Sequence, residues 1–268
     1  MESSVIGFEQ ASAQKDRMQR VDCASKDEAI RQGTAKLHES ITNAKEAGKP
    51  VLLLVSGGSA LELLKERMGD SSLPEGEKLT ICALDDRVYN DPEINTYQRI
   101  TANNSYSLIY QAKAHGAKFI ETAMQEGDKG LFAVGERVNE EIIQWLAEHP
   151  DGEIIATVGM GPDGHTAGIF PHNTRKFMRE ERMTEGKTVP SYYASEIVPH
   201  EVNEYARRVS ATNMLLERAK GIALVVSEEK QELLERVFRE DLTAANINEL
   251  PALLWRNMSE VSVFTSQK

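Results

Sequence analysis

The sequence predicts an α/β fold built on a doubly wound, mostly parallel β-sheet flanked by helices. Short unbroken apolar runs, of which Val51-Leu52-Leu53-Leu54-Val55 is the clearest, suit strands covered on both faces of a parallel sheet. Segments with helical apolar spacing alternate with these runs. Strand–helix alternation in turn implies right-handed crossovers between parallel strands. No internal repeat, low-complexity tract or linker interrupts the 268 residues, so 1–268 reads as a single domain.

The elements follow in order. Ile30, Leu37, Ile41 and Ala44 fall on one helical face, Ser25-Lys26-Asp27-Glu28 forms a capping box ahead of them, and Gly48 and Pro50 stop the helix. After the 51–55 strand come a glycine turn and a helix from Ala60 to Met68. Leu79 to Leu84 reads as a strand, Tyr97 to Ala114 as a weaker helical stretch, and Phe119-Ile120 as a short strand. Leu131, Val134, Val138, Ile142, Trp145 and Leu146 keep helical spacing closely. Ile154 to Val158 and Gly221 to Val226 read as buried strands, and a helix containing Leu233, Leu234, Val237 and Phe238 follows the second. Between Arg175 and Arg207 the chain is charged and irregular, as in a lid or excursion.

Bulk properties exclude some function classes. A formal charge of −11 disfavours nucleic-acid or anionic-membrane partners held by bulk attraction. A local cluster of cations can still bind a small anion. Two cysteines, Cys23 and Cys82, do not make a disulfide framework and read as buried free thiols. Met1-Glu2-Ser3-Ser4 does not begin a signal peptide, and no apolar stretch nears the roughly 20 residues of a membrane helix. The expected location is cytoplasmic.

Ligands of parallel sheets sit beyond the carboxyl ends of the strands, and four groups of residues fall there. Ser56-Gly57-Gly58-Ser59 lies between a strand and a helix, where glycines expose backbone amides to an anion; a tight turn with nothing bound is the alternative. Asp85-Asp86-Arg87 directly follows a strand and suits sugar hydroxyls or the orientation of a catalytic group, or is exposed loop charge. Gly159 to Pro171 contains a G-x-G-x-x-G at Gly159, Gly161 and Gly164. Pro171 follows too soon for the long helix of a dinucleotide site, so that reading is rejected. What remains is a glycine loop presenting Asp163 and His165. Imidazole suits a general base that activates water, although a lone histidine is more often inert. Arg208 starts a strand after the irregular stretch, and Lys230 occupies the first turn of a helix capped by Ser227, where a cation is either sharing an anion with the amides or solvated beside Glu228 and Glu229. No H-E-x-x-H, paired Cys-x-x-Cys or EF-hand spacing marks a metal site, and no G-x-S-x-G elbow is present.

In order and spacing these motifs resemble the 6-phosphogluconolactonases, within the larger group that includes the glucosamine-6-phosphate deaminases. The resemblance spans Val51 to Pro251, with Leu250-Pro251-Ala252 as a minor echo, and its most specific part is Gly159 through Ala167. Deaminases typically follow the histidine with Ile-Ala-Phe-Asn-Glu-Pro, whereas Thr166-Ala167-Gly168-Ile169-Phe170-Pro171 is nearer the lactonase form. The resemblance implies a Rossmann-like sheet and a hydrolysis of 6-phosphogluconolactone that needs no metal or cofactor, in the oxidative pentose phosphate route. It implies His165 as base, Asp163 as its orienting partner, and Ser56, Gly57, Gly58, Ser59, Arg208 and Lys230 as holders of the substrate phosphate. Asp85, Arg87 and Gly161 would line the same pocket. The partner expected is a small phosphosugar, bound by a monomer or weak homodimer. An amino-sugar-phosphate deaminase or isomerase and a non-catalytic sugar-phosphate sensor are the competing readings.

The sequence also departs from the family pattern. Asp86 stands where a glutamate is usual, and Ala60-Leu61 replaces Thr-Pro after Ser59. Ile94 replaces the serine before Asn95, and Glu204-Tyr205-Ala206-Arg207 replaces a proline-rich approach to Arg208. These changes flank the sugar more than the histidine.

Overall fold

The computed structural model describes residues 17–266, apart from residues 90 and 185. The reading of Met1-Glu2-Ser3-Ser4 lies outside them. The first half of the chain forms β1 (Met18–Cys23), α1 (Lys26–Glu46), β2 (Val51–Val55), β3 (Leu79–Ala83), β4 (Asp85–Arg87), α2 (Thr96–Ala102), α3 (Ser107–Ala114), β5 (Lys118–Ile120) and α4 (Leu131–Glu148). The second half forms β6 (Glu153–Val158), β7 (Glu181–Thr184), β8 (Lys187–Pro190), β9 (Tyr193–Ile197), β10 (Arg207–Ala211), α5 (Asn213–Leu216), β11 (Ala219–Val225), α6 (Gln231–Arg239), α7 (Ala244–Glu249) and β12 (Glu260–Ser266).

Seven strands pair in the order β1-β12-β11-β6-β2-β3-β5, every neighbouring pair parallel. Alternate residues of one strand feed opposite cores, as pleating demands. Leu52 and Leu54 join a cluster with Val134, Val138 and Ile142 of α4. Val51, Leu53 and Val55 join another with Leu37 and Ile41 of α1. Both faces are therefore covered, which explains the unbroken apolar run of β2.

From β2 the chain winds outward through β3 to β5. It then returns to place β6 on the other side of β2, followed by β11 and β12. The winding direction changes between β2 and β6, and a crevice opens at their carboxyl ends. A three-stranded antiparallel sheet, β4-β10-β9, sits at that end. Leu84 ties it in, donating its amide to Val55 at 2.8 Å and accepting from Ala211 at 2.9 Å.

Local signals largely hold. Ser25 Oγ accepts from Glu28 N at 3.2 Å, the Glu28 carboxylate reaches back to Ala24 N at 2.8 Å, and Gly48 ends α1 with φ +71°. The expected helix Ala60–Met68 is instead a 3₁₀ segment, Gly58–Leu64; with glycine at its cap and first position, no side chain caps its start. The stretch from Tyr97 to Ala114 splits into α2 and α3 because Asn103 Oδ1 captures Ser105 N at 2.9 Å, a local turn that competes with the helix. Cys82 is buried, but Cys23 on the edge strand is only half-buried. Residues 175–207 contain the β7–β8 hairpin and β9, so the excursion carries sheet pairing of its own between irregular segments. No helix follows Gly164: bridges from Met160 to Thr166 and from Thr166 to Ile169 fold the loop on itself, consistent with rejecting a dinucleotide fingerprint. Among the described residues no helix is long and apolar enough to cross a membrane.

Candidate active site

A cleft of about 210 Å³ opens at the crevice between β2 and β6. Ser56, Gly57, Gly58 and Ser59 line it from the end of β2, and Gly159, Met160, Gly161, Pro162, His165 and Ala167 from the end of β6. Asp85 and Arg87 of β4, Arg208 of β10 and Lys230 before α6 add to the wall. Every residue the sequence assigned to binding thus meets in one cavity, together with His165. Asp163 stands behind the histidine rather than on the wall.

His165 is fixed by its own loop. Asp163 Oδ1 lies 2.5 Å from His165 Nδ1 and also accepts the His165 backbone amide at 3.1 Å. Burial alone would raise the Asp163 carboxyl, but the hydrogen bond and charge of His165 outweigh it and hold the group below the usual carboxylate range. An ionised carboxylate only accepts, so Nδ1 carries a proton toward it whether or not the ring is charged, and in the neutral ring it is Nε2 that keeps the lone pair. Phe170 packs on the imidazole with ring centroids 4.5 Å apart.

The glycines make this packing possible. A Cβ on Gly161 would lie 2.1 Å from His165 Nδ1 and Cε1, and 2.6 Å from Asp163 Oδ1. Gly164 turns with φ +84°, and a Cβ there would meet Leu250 Cδ1 at 2.5 Å. The 250–252 segment anchors the loop from below: Ala252 N donates to Gly164 O at 3.0 Å. Trp255 Nε1 donates to Thr166 Oγ1 at 2.8 Å, and that hydroxyl donates to Gly159 O at 3.0 Å. The C-terminal echo seen in the sequence is therefore a physical support of the histidine loop.

Three cations line the same cleft as the histidine. Arg208, only 4% exposed, donates through Nη2 to Asp85 Oδ2, while its Nε and Nη1 are buried without a partner. Arg87 lies directly opposite Arg208 in the antiparallel ladder. Burial and the Arg208 charge both pull the Arg87 guanidinium below its ordinary value. Burial likewise lowers Lys230, against the pull of Glu229 and Asp163. Two like charges across a strand pair and unused buried donors are costly unless an anion joins them. Ser227 does not cap the helix before Lys230 as expected: its hydroxyl donates to Glu229, and Lys230 ends a 3₁₀ turn, Glu228–Lys230, ahead of α6.

Two features escaped the sequence. Asp86, between Asp85 and Arg87, points away from the cleft, as alternation along β4 requires. Fully buried, it accepts from Arg87 N at 2.7 Å, Thr96 N at 2.5 Å, Tyr97 N at 3.0 Å and Thr122 Oγ1 at 2.5 Å. Those bonds bring Thr96 into the wall of the cleft, where a Cβ on Gly57 would lie 3.6 Å from Thr96 Oγ1. The available signal was Asn95, whose Oδ1 caps α2 by accepting Gln98 N at 2.8 Å, placing Thr96 at the helix start. Among the described residues no group of three or more His, Cys, Asp or Glu is gathered as for a metal.

The fold and cleft define an α/β protein that gathers arginine and lysine against a carboxylate-backed histidine at the switch point of a parallel sheet. Within that class the chain belongs to the family described as glucosamine-6-phosphate isomerases/6-phosphogluconolactonase, whose model matches residues 24–263. It is 25% identical over 219 residues to a 6-phosphogluconolactonase of Haemophilus influenzae, covering 75% of this chain and 79% of that protein. A 6-phosphogluconolactonase of Aggregatibacter actinomycetemcomitans matches with the same identity and coverage. The fold is similar to the solved structure of 6-phosphogluconolactonase from Plasmodium vivax, with a TM-score of 0.70 at 15% identity over 93% of this chain and 91% of that one. The Trypanosoma brucei 6-phosphogluconolactonase gives a TM-score of 0.66 at 19% identity, over 94% and 97% of the two chains.

Proposed function

We propose that the protein hydrolyses the ring ester of 6-phosphogluconolactone, or of a close phosphosugar lactone, to the open-chain acid in the pentose phosphate pathway. The observation behind this reading is that His165, backed by Asp163, shares one cleft with Arg87, Arg208 and Lys230. Membership of the family and the two curated lactonase relatives support it.

In this mechanism Arg208, Arg87, Lys230 and the Ser56–Ser59 amides hold the substrate phosphate. Asp85 holds Arg208 and can accept a sugar hydroxyl. The lone pair of His165 Nε2 takes a proton from water as its oxygen bonds to the lactone carbonyl carbon, and the carbonyl electrons move onto oxygen. Asp163 stabilises the imidazolium so formed. Amides of the glycine loops stabilise the oxyanion, an effect of about 2.7–4 kcal/mol per well-placed donor. When the oxyanion collapses, the ring C–O bond breaks and His165 returns its proton to the departing oxygen. The products are the sugar hydroxyl and a carboxylic acid that ionises in water.

We read the chain as one catalytic domain, a cytoplasmic monomer or weak homodimer working on a small phosphosugar; its charge of −11 disfavours polyanionic partners. A side-by-side assay tests the reaction class. The expected result is lactone loss faster than spontaneous hydrolysis, with no ammonia from glucosamine 6-phosphate. Ammonia release without lactone acceleration would overturn the reading in favour of a deaminase.

A further inference from the structure

We propose that Tyr205 is a positioning residue for the anion site, its ring face holding the Arg87 guanidinium so that the guanidinium N–H donors stay free for the substrate phosphate. This rests on the cleft binding a phosphosugar, as argued above, and adds a residue outside the cleft wall.

Arg87 has an unusual position for a partly buried cation. Arg208 faces it across the β4–β10 ladder, and Asp85, the carboxylate on the same face of its own strand, is committed to Arg208, while Asp86 is turned to the opposite face. Among the described residues no carboxylate lies within ion-pair distance of Arg87, and no hydrogen bond uses its guanidinium. What it does contact is the Tyr205 ring, 4.5 Å from Cζ to the centroid. A guanidinium stacked on an aromatic face is restrained by its plane while its edge donors remain open.

The ring is itself braced. Tyr89 meets it edge-on, with centroids 6.1 Å apart and planes at 79°, and Arg207 lies 6.0 Å from the Tyr89 centroid. Asn203 Oδ1 accepts the Tyr205 backbone amide at 3.0 Å, and Val198 N donates to Ala206 O at 2.8 Å, closing the loop that delivers the ring. Tyr205 belongs to the segment in which this sequence departs from the family's proline-rich approach. Here an aromatic contact, rather than a carboxylate that would compete with the substrate, keeps Arg87 in place.

The test compares the full-length wild type with Tyr205→Phe and with two non-aromatic variants, Tyr205→Leu and Tyr205→Gln. Calorimetric titrations use inorganic phosphate and 6-phosphogluconate at one fixed ionic strength, and lactone kinetics and thermal midpoints are measured alongside. Tyr205→Phe keeps the ring face and should bind both anions within about twofold of wild type. The non-aromatic variants should bind them about 3- to 10-fold more weakly, with KM rising by a similar factor and kcat changing less. Non-aromatic variants that fold and bind like wild type, or a Phe variant as weak as Leu, would overturn the role of the ring. Wild type that binds neither anion would overturn the phosphosugar cleft and this inference with it. Anion binding weakened by that factor only in the non-aromatic variants upholds the inference even if no lactone is turned over.

Discussion

A single oxygen of Asp163 serves His165 twice, accepting Nδ1 at 2.5 Å and the backbone amide of the same residue at 3.1 Å. Side chain and main chain of the histidine are thus fixed by one carboxylate two residues away, and the proton on Nδ1 leaves Nε2 of the neutral ring with the lone pair that the proposed base needs. Asp163→Asn should preserve the fold but offer an amide donor to Nδ1, favouring the tautomer with Nε2 protonated. Turnover should then fall by about 10²–10⁴ with little change in KM. Steady-state kinetics check this, and wild-type kcat in the variant would contradict the orienting role.

Gly161 is the floor under that pair. Its Cβ position lies 2.1 Å from the imidazole, so Gly161→Ala must displace either the ring or the loop. A shift of about 1 Å in a reacting group is enough to cost roughly 10²-fold in rate. Circular dichroism should show an intact fold while kcat drops by about that factor. A fully active Gly161→Ala protein would mean that the ring position seen here is not the working one.

The Asp85–Arg208 pair is buried, and removing one member leaves the other uncompensated. Arg208→Ala should destabilise the protein by about 3–5 kcal/mol. Arg208→Lys retains charge without the planar fork, and should fold better yet bind phosphate weakly. Urea denaturation and phosphate titration of the two variants separate the effects; equal phosphate affinity in wild type and Arg208→Lys would count against the fork.

Burial pushes the Asp86 carboxyl up to about 6, with hydrogen bonds from Thr122, Tyr97, Thr96 and Arg87 only partly opposing it. The folded state therefore holds this proton more tightly than an ordinary aspartate at 3.8 does. Its stabilising contribution is complete below pH 3.8 and is lost as pH rises through about 6. Asp86→Asn removes that titration at a pH-independent cost in hydrogen bonds. The stability of wild type minus that of the variant should decline across this window by up to ~3 kcal/mol. Urea midpoints measured from pH 4 to 7 report it, and a flat difference would contradict the burial argument.

Sequence patterning revealed elements whose signals are local. β2 is a run of five apolar residues because helices cover both its faces, and α1 carries its own capping box. Elements made by partners were hidden. Asp85-Asp86-Arg87 is a strand only because β10 pairs with it. In β12, Ser262, Thr265 and Ser266 are buried polar residues that break the apolar run, with Thr265 satisfied by Gln231 from α6. The cleft was legible because its residues follow strand ends in a family order. Thr96 was not, since Asp86 draws it in through bonds between segments ten residues apart. The opposite facing of Asp85 and Asp86 would have followed from strand alternation once β4 was known.

Following loss of freshly prepared 6-phosphogluconolactone with wild type beside His165→Ala shows whether His165 activates water against a phosphosugar lactone. Wild type should clearly accelerate the reaction over spontaneous hydrolysis, and a folded His165→Ala protein should lose about 10²–10⁴ in turnover. Equal turnover by the two proteins would contradict a role for His165 as the base.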